Sequence, residues 1–399
     1  MAMHKLYAVK PSPPLSLWER LRLYGRLLTI FPVLCFFNVV RCCIIAAERK
    51  IRVRFYIVCG ITRVILETLT PREIWHLAPG TREIYTQWIT KRHNRAVQDK
   101  DLYLADWLQP EVEELPDRES AILWLGDRRK AKKIVYFLHG GGYFVPINNG
   151  HLEWCVRAYV NAGKELGQDV AIAVLQYTLS PRGGYPLQLF QAASGLAHIL
   201  RSGVRPSDMI FGGDSAGGNL TAQLMLHIVH PHPGAEPINL EEPFAGVFAV
   251  SPWVSNNMDT ASFRENQNID MLSSKTVQHT AMRQITPFKG YTPDMSKEMG
   301  WALANDYDDK TWFEGLEKVT RAIYVTVGGQ EILRDQGIEF AERIRESNPG
   351  LDVRLEVTKH EAHDWIMVEG LARLDGDATQ RMRAWTKGAL WEKKAESAK

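Results

Sequence analysis

Between residues 121 and 357, short apolar runs alternate with longer amphipathic stretches. Ala121–Leu125 (AILWL) and Ile134–Leu138 (IVYFL) read as strands, and the charged turn Gly126–Lys133 between them suits a hairpin. A helix is expected at about His151–Leu166, then a β-prone run at Val170–Tyr177 (VAIAVLQY). A proline-bounded loop, Ser180–Pro186, precedes a helix at about Leu187–Ser202. Met209–Gly213, Phe244–Val250, Ile323–Val327 and Val353–Val357 complete the strands, with a helix-like run at Asn219–Val229. Strands alternating with helices predict a mostly parallel sheet covered on both faces, with reactive groups at the carboxyl ends of its strands.

Two regions break this rhythm. Residues 256–320 are polar with scattered aromatics (Phe263, Phe288, Tyr291, Trp301, Trp312), and an insertion there is expected to cover the site as a cap. The N-terminal segment, 1–70, is apolar and basic, and 71–120 reads as short helices and loops leading into the core domain at 121–399. Leu27–Val40 is a fourteen-residue run without a charge, interrupted by Arg41. A spanning helix needs about 20 apolar residues, so the run alone is too short unless Arg41 snorkels. Three readings stay open: a membrane anchor or in-plane helix with basic flanks, a soluble lid over an apolar site, or a cleaved signal. Residues 1–60 hold ten Lys/Arg, among them Lys5 and Lys10, against Glu19 and Glu48.

Over the whole chain the balance is ordinary. The 399 residues are 45% hydrophobic and 24% charged with net charge +2, which gives no footprint for nucleic acid. The five cysteines (Cys35, Cys42, Cys43, Cys59, Cys155) form no Cys-x-x-Cys, which points away from a disulfide framework or zinc site and towards a reducing compartment. Cys42 and Cys43, beside the apolar run, suit either acylation or buried packing. The sequon Asn219-Leu220-Thr221 falls behind the candidate nucleophile, where it is expected to be hidden.

The candidate chemistry centres on Gly213-Asp214-Ser215-Ala216-Gly217, between the end of a strand and the start of a helix. A serine on such a turn is exposed as a nucleophile, with the helix N-terminus aimed at developing negative charge. The bland alternative is a glycine-rich turn with a capping Asp or Ser. The hydroxyl needs a histidine base held by a carboxylate. His363, in the loop after the last strand, has the right place in the chain order, with His360 as runner-up. Glu331 or Asp335 in the loop after Ile323–Val327 supplies the acid, with Glu331 nearer the strand end. Backbone donors for an oxyanion are expected from Ala216, Gly141 and Gly142, with Gly140 in support and His139 anchoring the loop. His227, His230 and His232 cluster near a helix end, but Pro231 and Pro233 disrupt ligand geometry, so no metal is assigned, and no cofactor is needed.

With His139-Gly-Gly-Gly142 and Gly213-Asp-Ser-Ala-Gly217 placed 76 residues apart (His139 to Ser215), the chain resembles the hormone-sensitive-lipase-like branch of the α/β-hydrolases over about 121–390. Tyr177-Thr-Leu-Ser-Pro181 resembles that family's Tyr-x-Leu-Ala-Pro segment. The resemblance implies the α/β-hydrolase fold with a helical cap, and a serine carboxylic-ester hydrolase using Ser215, Glu331 and His363. Two departures stand out. Glu331 occupies the place of the family's usual Asp, and His363-Asp364-Trp365 replaces His-Gly-Phe. Within the branch, the N-terminus and the His-Asp-Trp ending resemble fungal steryl-deacetylase-like proteins. This implies a short-chain ester of a hydrophobic alcohol as substrate and an intracellular place, at the endoplasmic-reticulum membrane or in the cytoplasm. Acyl transfer or formamide hydrolysis on the same machinery, and a non-enzymatic small-molecule receptor, are the alternatives.

Overall fold

The computed structural model describes residues 12–285 and 295–392; Lys5, Lys10, Phe288 and Tyr291 lie outside them. Its centre is one eight-stranded sheet: β1 (Glu111–Glu114), β2 (Ala121–Leu125), β3 (Lys133–Leu138), β4 (Val170–Gln176), β5 (Met209–Asp214), β6 (Gly246–Val250), β7 (Ala322–Gly328) and β8 (Asp352–Thr358), in the order β1-β2-β4-β3-β5-β6-β7-β8. From β4 to β8 every pairing is parallel, while β1 and β2 join antiparallel.

The hairpin expected between β2 and β3 does not form. β2 pairs antiparallel with β4 (Ala121↔Gln176), and β3 lies on the other side of β4. β4 is apolar at six successive positions and offers two buried edges. The seven-residue connection 126–132 is long enough to cross it, a distance of about 10 Å. Phe244 stands outside β6, in an isolated bridge to Thr320. β1 has no apolar run to announce it: its sequence is EVEE, and it is an edge strand.

Alternate side chains of the inner strands serve two cores. Ile134, Tyr136 and Leu138 of β3 face one side with Phe211, while Val135 and Phe137 face the other with Ile210 and Phe248. The Leu187–Arg201 and Ala216–Val229 helices cover the first face. The second is covered by the Asn149–Trp154 helix, which continues through a π-helical turn at Cys155–Val160, and by the Asp377–Trp391 helix. The segment between β6 and β7 carries helices at Ala261–Asn266, Ser274–Ile285 and Met295–Ala302.

Ahead of the sheet come helices at Leu17–Leu28, Ile30–Glu48, Val53–Thr68, Pro71–Leu77, Thr81–Gln98 and Leu102–Trp107. Thr81–Gln98, at 18 residues, is longer than the short helices expected there. The apolar run is also longer than its uncharged core: the Ile30–Glu48 helix has 19 residues with mean hydropathy 2.2, long and apolar enough to cross a membrane, and only 11% of its apolar window is buried. Arg41 does not break it, because its guanidinium bonds the Asn38 side chain one turn back. Large apolar side chains stand exposed along this region, including Trp18, Leu28, Phe36 and Phe37.

Candidate active site

Ser215 follows β5 at φ +52°, ψ −114°, a strained conformation that lifts its side chain out of the strand and starts the Ala216–Val229 helix. The turn is so tight that a Cβ on Gly213 or Gly217 would sit 1.8 Å or 1.9 Å from the Leu138 carbonyl oxygen. Only hydrogen fits at either position, which accounts for both glycines of the motif.

The three candidate side chains meet. His363 Nε2 lies 2.9 Å from Ser215 Oγ, and its Nδ1 lies 3.1 Å from Glu331 Oε2. With Nδ1–H donating to Glu331, Nε2 is the nitrogen left to accept the serine proton. His363 and Glu331 are buried and Ser215 is nearly so. Each follows the carboxyl end of a strand: β5, β7 and β8.

The runners-up point elsewhere. Asp335 Oδ2 accepts the Ser262 amide at 2.7 Å and its Oδ1 accepts from Arg334 at 2.8 Å. His360 is exposed in the turn after β8. His139 stacks on Tyr177, with ring centres 4.5 Å apart, and burial holds its pKa down to about 4. Gly141 (φ +105°) and Gly142 (φ +56°) need the left-handed region, and among the described residues no group accepts from their amides. The three clustered histidines have separate partners: His227 the Glu236 carbonyl, His230 the Trp312 carbonyl, His232 the Glu298 carboxylate. Asn219 is fully buried between Tyr143 and the Ala302 carbonyl, and Cys42 is packed against the Ile269 carbonyl.

Three carboxylates that the sequence reading gave no role surround this centre. Asp214, beside the serine, takes the Gly140 amide on Oδ1 (3.0 Å) and the His151 ring on Oδ2 (3.0 Å). His151 Nδ1 accepts from the Asn148 amide, so its Nε2 carries the proton donated to Asp214. Burial alone would raise Asp214, but the His151 ring outweighs it and holds the carboxyl low; burial would likewise lower His151, and Asp214 holds it high. Asp270, from the segment after β6, accepts the Ile332 amide at 2.8 Å and the His363 amide at 3.4 Å, so it ties the acid loop to the histidine loop. Burial pushes Asp270 up to about 6. Asp364 is the third and touches the imidazole itself. No motif marks Asp270, because its partners lie 62 and 93 residues away.

The N-terminal helices brace the same loops. Arg63 donates to the carbonyls of Gln267, Asp270 and Leu272, Arg49 bonds the side chains of Asn266 and Gln330, and Tyr56 donates to the His360 carbonyl at 2.9 Å. The serine and histidine open into a cavity. Its lining is largely apolar, with Phe144, Trp253, Met271, Val277, Leu333 and Met367, and includes Thr62 and Leu66 of the Val53–Thr68 helix.

The chain belongs to the α/β-hydrolase fold family, whose sequence profile matches residues 135–367. It is 26% identical over 225 residues to an esterase of Acinetobacter venetianus, and 23% identical over 227 residues to steryl acetyl hydrolase 1 of Saccharomyces cerevisiae. These matches cover 56% and 54% of this chain but only 65% and 49% of those relatives. A crystal structure of an esterase from the bacterial hormone-sensitive lipase family superposes with a TM-score of 0.56 at 21% identity, covering 77% of this chain and 98% of that one.

Proposed function

We propose that this protein is a serine carboxylic-ester hydrolase. The observation that carries the reading is the continuous relay Ser215–His363–Glu331, at 2.9 Å and 3.1 Å, opening into an apolar cavity. In the proposed cycle Ser215 Oγ attacks the acyl carbon while His363 Nε2 takes its proton. The oxyanion is met by the amides of Ala216, Gly141 and Gly142. His363 then protonates the departing alcohol, and water repeats the sequence to release the acid and free Ser215. Glu331 holds the ring and offsets the charge of the imidazolium.

The apolar lining favours an ester of a hydrophobic alcohol with a short acyl group. The relative named steryl acetyl hydrolase supports that class. The exposed apolar side chains of residues 17–44 and the basic residues flanking them favour association with a membrane. Because the Val53–Thr68 helix packs on Ile30–Glu48 and also lines the cavity, a substrate dissolved in lipid would be presented close to the site.

A fluorophosphonate probe tests the reading: it should label the intact protein and fail to label Ser215→Ala. An intact protein that resists labelling, yet binds hydrophobic small molecules, would be a receptor on a hydrolase fold instead.

A further inference from the structure

The catalytic cavity and a second hollow share a thin wall. Thr62 and Leu66 of the Val53–Thr68 helix line the cavity, one helical turn apart, and the Ser274–Ile285 helix adds Thr276, Val277 and Thr280. The very next residues serve the other side. Glu67, Thr68 and Leu69, together with Lys275, line a groove outside the cavity. On both helices the change from cavity to groove therefore falls between neighbours, Leu66 and Glu67 on one, Lys275 and Thr276 on the other. Lys275 Nζ donates to the Glu67 carbonyl at 3.3 Å, so the two helices meet at this wall.

The rest of the groove comes from the elbow at Thr29, where the Leu17–Leu28 helix passes into Ile30–Glu48. Leu27 precedes the elbow, and Ile30, Phe31 and Leu34 follow it within about one turn. Ile30 is 54% exposed, so the groove reaches the surface among the apolar side chains of residues 17–44. The charges beside it are already committed within the protein. Arg26 bonds Glu73 and donates to the Thr68 carbonyl at 3.1 Å, and Glu67 pairs with Arg63 at 3.0 Å. Lys275 is exposed at the rim, where its ammonium head stays in water. What the groove offers a ligand is apolar surface, which suits a neutral hydrocarbon body rather than an anion.

We propose that this groove is a binding site for the far end of a bulky hydrophobic alcohol, whose ester end lies at Ser215 and whose body crosses the wall beside Leu66. This rests on the serine-hydrolase reading. The occupant follows from continuity: a molecule passing inward from the groove between Leu66 and Thr276 enters the cavity that holds Ser215 and His363. Leu66 is only half-buried, and its side chain has no hydrogen bond to break when it turns aside. A small alcohol is accommodated by the cavity alone. A polycyclic or long-chain alcohol needs the groove as well, so the groove selects for the size of the alcohol and not for the acyl group.

The test compares two acetate esters of different alcohols, p-nitrophenyl acetate and a sterol acetate, by the acetate that the full-length protein releases in one detergent. Leu34→Trp and Thr68→Trp fill the groove from opposite walls, and neither residue lines the cavity. The expected result is a fall of about tenfold or more, in each variant, in kcat/KM for the sterol acetate relative to p-nitrophenyl acetate. A folded Trp variant that keeps the wild-type ratio, or that loses both esters by the same factor, would overturn the proposal. So would a wild type that fluorophosphonate labels but that does not hydrolyse the sterol acetate. A wild type that is not labelled at all would instead reject the serine-hydrolase reading.

Discussion

Ser215 Oγ and His363 Nε2 stand 2.9 Å apart although 148 residues of chain separate them. The loops after β5 and β8 close that distance, and the carboxylate that aligns the ring arrives on a third loop, after β7. Replacing Glu331 with Gln keeps the shape but removes the charge facing Nδ1. We expect kcat for a p-nitrophenyl acetyl ester to fall by roughly 10³–10⁴-fold, with KM little changed. Asp335→Asn, whose carboxylate serves Ser262 and Arg334, should stay within about tenfold of wild type. The reverse ranking would move the acid to Asp335.

Asp214 and His151 form a buried pair that joins the nucleophile turn, the glycine loop and a helix of the opposite face. His151→Phe leaves the Asp214 charge without its partner, at a cost of about 3–5 kcal/mol in folding stability. A urea melt at neutral pH measures it. The pair also has its own pH window. The low Asp214 pKa contributes stability that is lost as pH falls through its folded value, and the raised His151 pKa contributes stability that is lost as pH rises through its own.

Asp270 behaves in the opposite sense. Its carboxyl titrates near 6 in the folded protein against 3.8 for a free side chain, so between those values the native state binds the extra proton. Its contribution to stability therefore falls as pH rises from about 4 to about 6. Asp270→Asn should flatten that part of the stability curve, read from melting temperatures across the range. An unchanged slope would mean that Asp270 titrates normally.

The membrane reading predicts that the double substitution Phe36→Asp and Phe37→Asp releases the protein from membranes. Both side chains are more than 60% exposed, so the fold should tolerate the change. Sedimentation with vesicles containing anionic lipid measures it. Equal sedimentation of variant and wild type would remove residues 36 and 37 from the contact. Truncation of residues 1–60 is a poorer test of binding, because it also removes Arg49 and Tyr56, which hold the Gln330 and His360 turns.

Much of this was legible in one dimension. The buried strands announced themselves because both of their faces are apolar, and the nucleophile turn because its close approach to Leu138 admits only glycine on either side of the serine. The polar edge strand β1 carried no such pattern. The order of β2, β3 and β4 was not legible either, since apolar strands carry little information about their neighbours. Asp270 looked like an ordinary acidic residue in a loop, and Asp364 showed only as a departure from the family's His-Gly-Phe.

Local chemistry, then, was written in the chain order: a strained serine, a glycine run, a histidine after the last strand. Only the folded arrangement decided which carboxylates surround that histidine, and that helices from the N-terminus brace the loops carrying it. The physical reason is range. Backbone sterics act between adjacent residues and leave motifs. The charge that sets a proton's affinity acts through space, between residues that meet only when the sheet has formed.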